Sequence, residues 1–208
     1  DPSSNWRTYA IRVSGAVLMR DFLEATRGAP EHPTLRKALN LWTQPPSQAL
    51  DLGCGAGRDS LALLRSGWDV VALDRDPRAL EALREQSDNY RSGALITICR
   101  SFEDNVPLPA VDLINAGFAL PFCRPDAFQD LWSRITQSLR QQGLFSGHFF
   151  GPNDAWADKG LSILNREQLM RQMDGWTLLE LNEFEYDGKT AVGSNKHWHL
   201  FEVIARRD

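Results

Sequence analysis

The sequence predicts an α/β fold, a doubly wound and mostly parallel sheet. Three observations carry the prediction. Apolar stretches of strand length alternate with stretches of helical period, giving seven strands with helices between the first five and a closing β-hairpin. A glycine-rich turn, Gly53-Cys54-Gly55-Ala56-Gly57, joins the first strand to a helix. The second strand ends in Asp74, 21 residues after Gly53, the distance at which a β-α-β unit returns beside its first strand. The 208 residues, 42% of them hydrophobic, suit one domain that buries about 70% of its unfolded surface.

The elements follow in order. Residues 1–12 are polar with embedded aromatics, and Val13 to Thr26 has an amphipathic period. Gly28 to Pro33 breaks that helix. Thr34 caps a second one, with Leu35, Ala38, Leu39 and Trp42 on one face. Pro45-Pro46 ends it. Residues 1–44 therefore form an N-terminal helical cap, and residues 45–208 the core. Strand Gln48–Leu52 runs into the glycine turn, and a helix follows from Gly57 to Ser66. Trp68 to Asp74 is a buried strand, and Pro77 opens a helix to about Asn89. Strands Ala94–Cys99 and Val111–Ala116 come next. A helix from Pro125 to about Gln141 carries a core stripe of Phe128, Leu131, Trp132, Ile135 and Leu139. Gly143 to Phe150 is the fifth strand, and Gly151 to Gly160 has the composition of a lid. Asn165 caps a short helix to Met173. Strands Trp176–Tyr186 and His197–Ala205 close the chain around a loop from Asp187 to Lys196.

The glycine turn is where a ligand belongs. Glycines at alternate positions let backbone approach a bound molecule closely, and the helix beyond presents unpaired N–H groups. A dinucleotide fingerprint has the spacing Gly-x-Gly-x-x-Gly. Here the spacing is Gly-x-Gly-x-Gly, with Asp51 two residues ahead. A carboxylate there would repel a pyrophosphate and attract the amino group of a zwitterion. A tight turn without ligand is the plain alternative. Asp74 is placed to take ribose hydroxyls, which by itself leaves NAD open.

The run Asp51 to Gly57 resembles the first motif of class I S-adenosylmethionine (SAM) dependent methyltransferases. Arg58-Asp59-Ser60 resembles the branch containing tellurite-resistance and thiol or thiopurine methyltransferases. The resemblance implies a seven-stranded Rossmann-like methyltransferase fold with an antiparallel last strand, and SAM as cofactor. Asp51, Gly53, Cys54, Gly55 and Gly57 would then hold the methionine end, and Asp74 with Arg75 the ribose. Ser101, Phe102 and Glu103 would meet the adenine, although Ser101 stands where many members have an acid. Asn115, Ala116 and Phe118 would line the methyl-transfer site. Tyr9 and Arg12 would reach the methionine carboxylate or the substrate, or simply anchor the arm. Phe150, Trp156 and His197 would belong to the substrate side and its lid. His148, at the sheet's ligand edge, is either a general base or a core histidine bonded to backbone. The implied reaction is SN2 methyl transfer to a small thiol, metalloid oxyanion, hydroxyl or carboxylate. The alternatives are an NAD(P)-binding oxidoreductase, a non-catalytic SAM-binding module, and a protein or RNA methyltransferase.

Composition narrows the partners. The net charge is −4 and no Lys/Arg block is present, which argues against a nucleic-acid face. No apolar run approaches the ~20 residues of a membrane span. Cys54, Cys99 and Cys123 are odd in number and sit in or beside apolar runs. They read as free thiols in a reducing compartment, the cytoplasm. His197 and His199 share a strand face without a third ligand, so no metal is expected. A start at Asp1 leaves the native N-terminus open.

Overall fold

A computed structural model of the chain describes residues 15–89 and 93–208. Its helices are α1 (Gly15–Thr26), α2 (Pro33–Leu41), α3 (Arg58–Arg65), α4 (Pro77–Ser87), α5 (Pro125–Ser138) and α6 (Arg166–Gln172). Its strands are β1 (Gln48–Leu52), β2 (Asp69–Asp74), β3 (Leu95–Cys99), β4 (Val111–Ala116), β5 (Leu139–Phe150), β6 (Trp176–Lys189) and β7 (Asn195–Arg207). They form one seven-stranded sheet in the order β3-β2-β1-β4-β5-β7-β6. The first five strands are parallel, and β7 is antiparallel to both β5 and β6. This is the doubly wound architecture expected. The strand order reverses between β1 and β4, and a crevice opens at the carboxyl ends of such a pair.

Side-chain alternation explains why the central strands read as continuous apolar runs. Leu50, Leu52, Ile114 and Ala116 enter one apolar cluster, while Ala49 and Leu113 enter the other. Successive residues of a strand face opposite sides, and here helices cover both. Phe22 of α1 and Leu35 of α2 are buried against this core.

Three boundaries differ from expectation. Helix α2 starts at Pro33 with His32 as N-cap, because the Thr34 hydroxyl is committed elsewhere, to Glu202. Helix α5 stops at Ser138, where Leu139 turns extended. Strand β5 begins there, with Gln142 at φ 64° next to a register shift against β4. The closing hairpin pairs out to Lys189 and Asn195, so Asp187 to Gly188 and Lys196 are strand residues. Their polarity suggested loop, but His197 pairs across the strands with Asp187 and Glu185, and Lys196 turns inward onto Asp154. Among the described residues no helix is long and apolar enough to cross a membrane.

Candidate functional site

All three glycines of the turn take left-handed backbone: Gly53 at φ 68°, Gly55 at 54° and Gly57 at 94°. A side chain is costly in that region. At Gly57 a Cβ would also collide with Leu83 of α4, so this glycine serves helix packing more than ligand approach. The turn is tied to β2. The Gly53 and Cys54 N–H groups donate to the Leu73 carbonyl, at 2.7 and 3.1 Å. Asp74 then clamps the turn to the start of α4. Its Oδ2 accepts from Gly55 N–H and its Oδ1 from Asp76 N–H, both at 2.9 Å.

Beside this clamp lies a narrow cleft lined by Gly53, Asp74, Arg75, Ser101, Phe102 and Glu103. The five residues expected to meet the nucleoside, Asp74, Arg75, Ser101, Phe102 and Glu103, therefore share one wall with Gly53. The adenine-side turn is braced from behind. Arg134 of α5 donates to the Phe102 and Val106 carbonyls. The Ser101 N–H is taken by Asp104, and Glu103 Oε1 accepts from Arg124 N–H.

The methionine side is a second, tighter pocket. Asp51, Gly53, Cys54 and Gly55 line it together with Arg58, Asp59, His32 and Gly117. Beneath it runs a buried polar network. Asp51 Oδ2 accepts from Ser60 at 2.6 Å, and its Oδ1 from the Asn115 amide at 3.0 Å. Asn115 also donates to Asp59 Oδ2 at 2.9 Å and accepts from Ser146 at 2.7 Å. His32 grips the same carboxylate twice, through its backbone N–H and its Nδ1, each at 2.8 Å. Burial would raise the Asp59 pKa; the His32 ring and amide, with Asn115, outweigh it and hold Asp59 well below the usual carboxylate range. Arg58 donates from Nε to the Pro30 carbonyl at 2.6 Å. Its Nη1 is buried with no hydrogen-bond partner among the described residues.

Asn115 and Ala116 do not line either pocket as expected. Asn115 is the hub of the network below, and strand alternation turns Ala116 into the apolar core. Gly117 and Phe118 form the wall instead.

Phe118 opens a third space, a cavity of about 260 Å³ lined by His32, Thr34, Lys37, His148, Tyr186 and Glu202 among others. Phe118 sits at φ 53°, a strained position for a residue with a side chain. Its ring stacks on His148, with centroids 3.9 Å apart and planes 16° off parallel. Its N–H donates to His148 Nδ1 at 3.3 Å. An amide can only donate, so the proton of the neutral ring belongs on Nε2, which donates to Thr34 Oγ1 at 2.9 Å. The Thr34 hydroxyl passes on to Glu202 at 2.6 Å. Lys37 and Asn182 also donate to Glu202, at 2.8 and 3.0 Å. Burial, aided by the nearby His32, pushes the His148 pKa down to about 3. Burial would raise Glu202, but the hydrogen bonds from Lys37, Thr34 and Asn182 win and hold it near 2. The Tyr186 hydroxyl is buried without a partner among the described residues, and burial pushes its pKa well above the ordinary phenol value.

The substrate-side expectations fare unevenly. Tyr9 and Arg12 lie outside the described residues. The segment from Gly151 to Gly160 is not a loose lid. Trp156 is 8% exposed and packs on Phe122, Phe150 and Trp198. Asp154 makes a buried ion pair with Lys196 at 2.6 Å, and the Lys196 ammonium lies 3.5 Å from the Trp198 ring centre. Phe150 is fully buried core. His197 is bonded to Asp187 and Glu185 beside a separate open hollow with Lys189 and Asn195, away from the Phe118 cavity. His199 goes instead to Glu183, so the two histidines share no ligand geometry. Sequence reasoning did not single out His32, Arg58 or Asp59 as site residues. A polar Arg58-Asp59 pair directly after the third glycine, and a histidine ahead of Pro33, were the available signals.

A sheet of this order, with an acidic strand end leading into a left-handed glycine turn and a second acid on β2, defines a SAM-binding Rossmann-like domain. Residues 49–143 match the family model described as a methyltransferase domain, and the chain carries a class I SAM-dependent methyltransferase domain. Curated relatives include carboxy-S-adenosyl-L-methionine synthases. That of Erwinia tasmaniensis is 30% identical over 147 residues, which is 68% of this chain and 59% of the relative. That of Escherichia coli is 25% identical over the same shares. The chain thus spans about 59% of the length of these relatives. In fold it resembles TehB from Haemophilus influenzae, with a TM-score of 0.75 at 18% identity over 91% of this chain and 67% of that one. It also resembles the N-methyltransferase NodS of Bradyrhizobium japonicum in complex with S-adenosylhomocysteine, with a TM-score of 0.61 at 15% identity over 89% and 98%.

Proposed function

We propose that the chain binds SAM across the cleft and the methionine pocket and transfers its methyl group to a small molecule held in the Phe118 cavity. The observation that carries this is the shared wall: His32 lines both the methionine pocket and the cavity, and Gly117-Phe118 separates them. A donor's methyl end and an acceptor would meet there.

The residues present fit SAM. The buried Arg58 Nη1 has no partner among the described residues, and Arg58 lines the pocket in which a methionine carboxylate would sit. Asp51 is the carboxylate that lines the methionine pocket, where an ammonium would sit, and Asp74 lines the cleft at the ribose end, with Phe102 and Glu103 at the adenine end. The bound sulfonium supplies the leaving group. The chain's own task is to hold the acceptor in line and exclude water, an ordering equivalent to effective molarities of about 10⁵–10⁸ M. In this reading His148 is a positioning residue. Both its nitrogens are spent, on Phe118 and Thr34, and it fixes the strained Phe118 at the transfer point.

We further read residues 1–44 as a cap over a core of 45–208, since His32 and Thr34 of the cap reach into the site. Free Cys54, Cys99 and Cys123 support a reducing, cytoplasmic setting.

A second reading is a SAM-binding module without turnover, favoured by the packed segment around Trp156. The open 260 Å³ cavity argues against it. The deciding experiment incubates the protein with labelled SAM and a panel of small thiols, metalloid oxyanions, phenols, amines and carboxylates, with products read by mass. Turnover of an acceptor supports transfer. A carboxylated SAM product would point to the activity named for the relatives, and no product with any acceptor would support the silent module.

A further inference from the structure

The Phe118 cavity differs between its two ends. Phe118 and His148 are buried at the inner end, and His32 there also lines the methionine pocket. At the outer end Lys37 and Phe184 reach solvent, with 42% and 41% exposure. Pro33 and Leu200 and the rings of Phe118, Phe184 and Tyr186 make most of the lining apolar. A dry apolar cavity of about 150 Å³ takes a benzene ring, so about 260 Å³ has room for two fused rings.

The charge around this space does not cancel. The Lys37 ammonium is shared by two carboxylates, Glu202 at 2.8 Å and Glu180 at 3.2 Å. Thr34 and Asn182 also donate to Glu202 and help keep it ionised. Burial keeps His32 and His148 neutral at pH 7. Among the described residues around the cavity one negative charge is therefore left over. An anionic acceptor would lose its water here and meet a charge of its own sign. A neutral acceptor that turns cationic as it reacts meets a carboxylate and aromatic rings, both of which attract a developing cation.

We propose that the acceptor is an uncharged aromatic compound of one or two rings that takes the methyl group on nitrogen, either a pyridine-type ring nitrogen or an aryl amine. This rests on the methyl-transfer reading above. The nitrogen lone pair forms the bond to the methyl carbon as the carbon–sulfur bond breaks, and the sulfur keeps that electron pair. The positive charge moves from sulfonium to nitrogen, so the total charge of the buried site is unchanged. A ring nitrogen has no proton to lose. An aryl amine sheds its surplus proton to water at the mouth beside Lys37. No anion has to be formed or buried. Glu202 and the rings of Phe118 and Phe184 are then the groups that set acceptor specificity.

The test uses the whole chain with S-adenosylhomocysteine bound and three fused-ring probes of similar size: quinoline, its cation 1-methylquinolinium, and 1-naphthoate. Calorimetry should show quinoline and 1-methylquinolinium binding, with 1-naphthoate weaker than either by about tenfold or more. Phe184→Ala at the mouth should weaken quinoline about 2- to 10-fold while S-adenosylhomocysteine stays within about twofold of the parent, which assigns the probe to this cavity. Glu180→Gln removes the surplus charge at a partly exposed position and should narrow the preference for cation over anion by about threefold. With SAM, quinoline and aniline should give N-methyl products by mass, and faster than thiophenol or benzoate is methylated. Naphthoate binding as tightly as quinoline, an unchanged quinoline affinity in Phe184→Ala, an unchanged cation preference in Glu180→Gln, or no N-methylation of either nitrogen probe would overturn the proposal. If a variant does not fold, the order of probes and the products of the parent still decide. Failure of the parent to bind S-adenosylhomocysteine would instead overturn the methyl-transfer reading itself.

Discussion

If His148 is a buried, neutral pillar, acid should unfold the protein through it. Its ordinary pKa is 6.5 and the folded value is about 3. Between those values the unfolded chain binds a proton that the folded chain refuses, so stability must fall as pH drops from about 6.5 toward 3. Each pH unit in that window carries about 1.4 kcal/mol, which sets an upper limit near 5 kcal/mol. That is a large part of the ~5–15 kcal/mol holding a domain together. Glu202, held near 2 against an ordinary 4.5, pushes the same way at the lower end. Its stabilisation is present above 4.5 and is lost as pH falls toward 2. His32 is lowered by burial as well, so the variant isolates the His148 share. Urea titrations from pH 7.5 to 4 on the parent and on His148→Asn make the measurement. His148→Asn should be less stable at pH 7.5, because the Phe118 N–H and Thr34 lose their partner, yet should fall less steeply in acid. In the folded fraction its turnover should stay within tenfold of the parent. Parallel slopes, or a 10²–10⁴-fold rate loss with stability intact, would refute the structural role and make His148 the base.

Asp74→Ala should do two things, since the carboxylate clamps the turn as well as facing the cleft. Leaving two backbone N–H groups unpaired costs about 1–3 kcal/mol each in stability. Calorimetry should show S-adenosylhomocysteine weakened about 10- to 100-fold, and an unchanged dissociation constant removes Asp74 from the site. Asp154→Ala strands the Lys196 ammonium among aromatic rings and should cost about 3–5 kcal/mol in chemical denaturation; a loss below 1 kcal/mol would mean that the pair is not holding the segment. Hydrogen exchange of residues 151–160 should be slow before any ligand is added, and fast exchange there would restore a mobile lid.

The sequence made the sheet legible because periodicity and the glycine turn are local signals. The nucleoside wall was legible for the same reason. Asp74, Arg75, Ser101, Phe102 and Glu103 sit at strand ends that the β-α-β pattern places side by side. What lay hidden was contact at long range. His32 meets Asp59 across 27 residues, and Thr34 meets Glu202 across 168. Neither position carries a pattern of its own, and Thr34 looked like a helix cap because the buried acid it serves is so distant. Trp156 misled in the opposite sense. Its polar neighbours suggested an exposed loop, but Asp154 finds Lys196 across 42 residues, and the pair carries the indole into the core. Asn115 and Ala116 were placed at the right strand end, but the pleat turned them away from the pockets.

The most direct test of the central claim is calorimetry of the wild-type protein with S-adenosylhomocysteine and, separately, NADH. The Asp51 spacing, the Asp74 clamp and the unpartnered Arg58 Nη1 predict saturable one-site binding of S-adenosylhomocysteine and no comparable heat with NADH. Preferential binding of NADH would contradict the account and return the glycine turn to a dinucleotide.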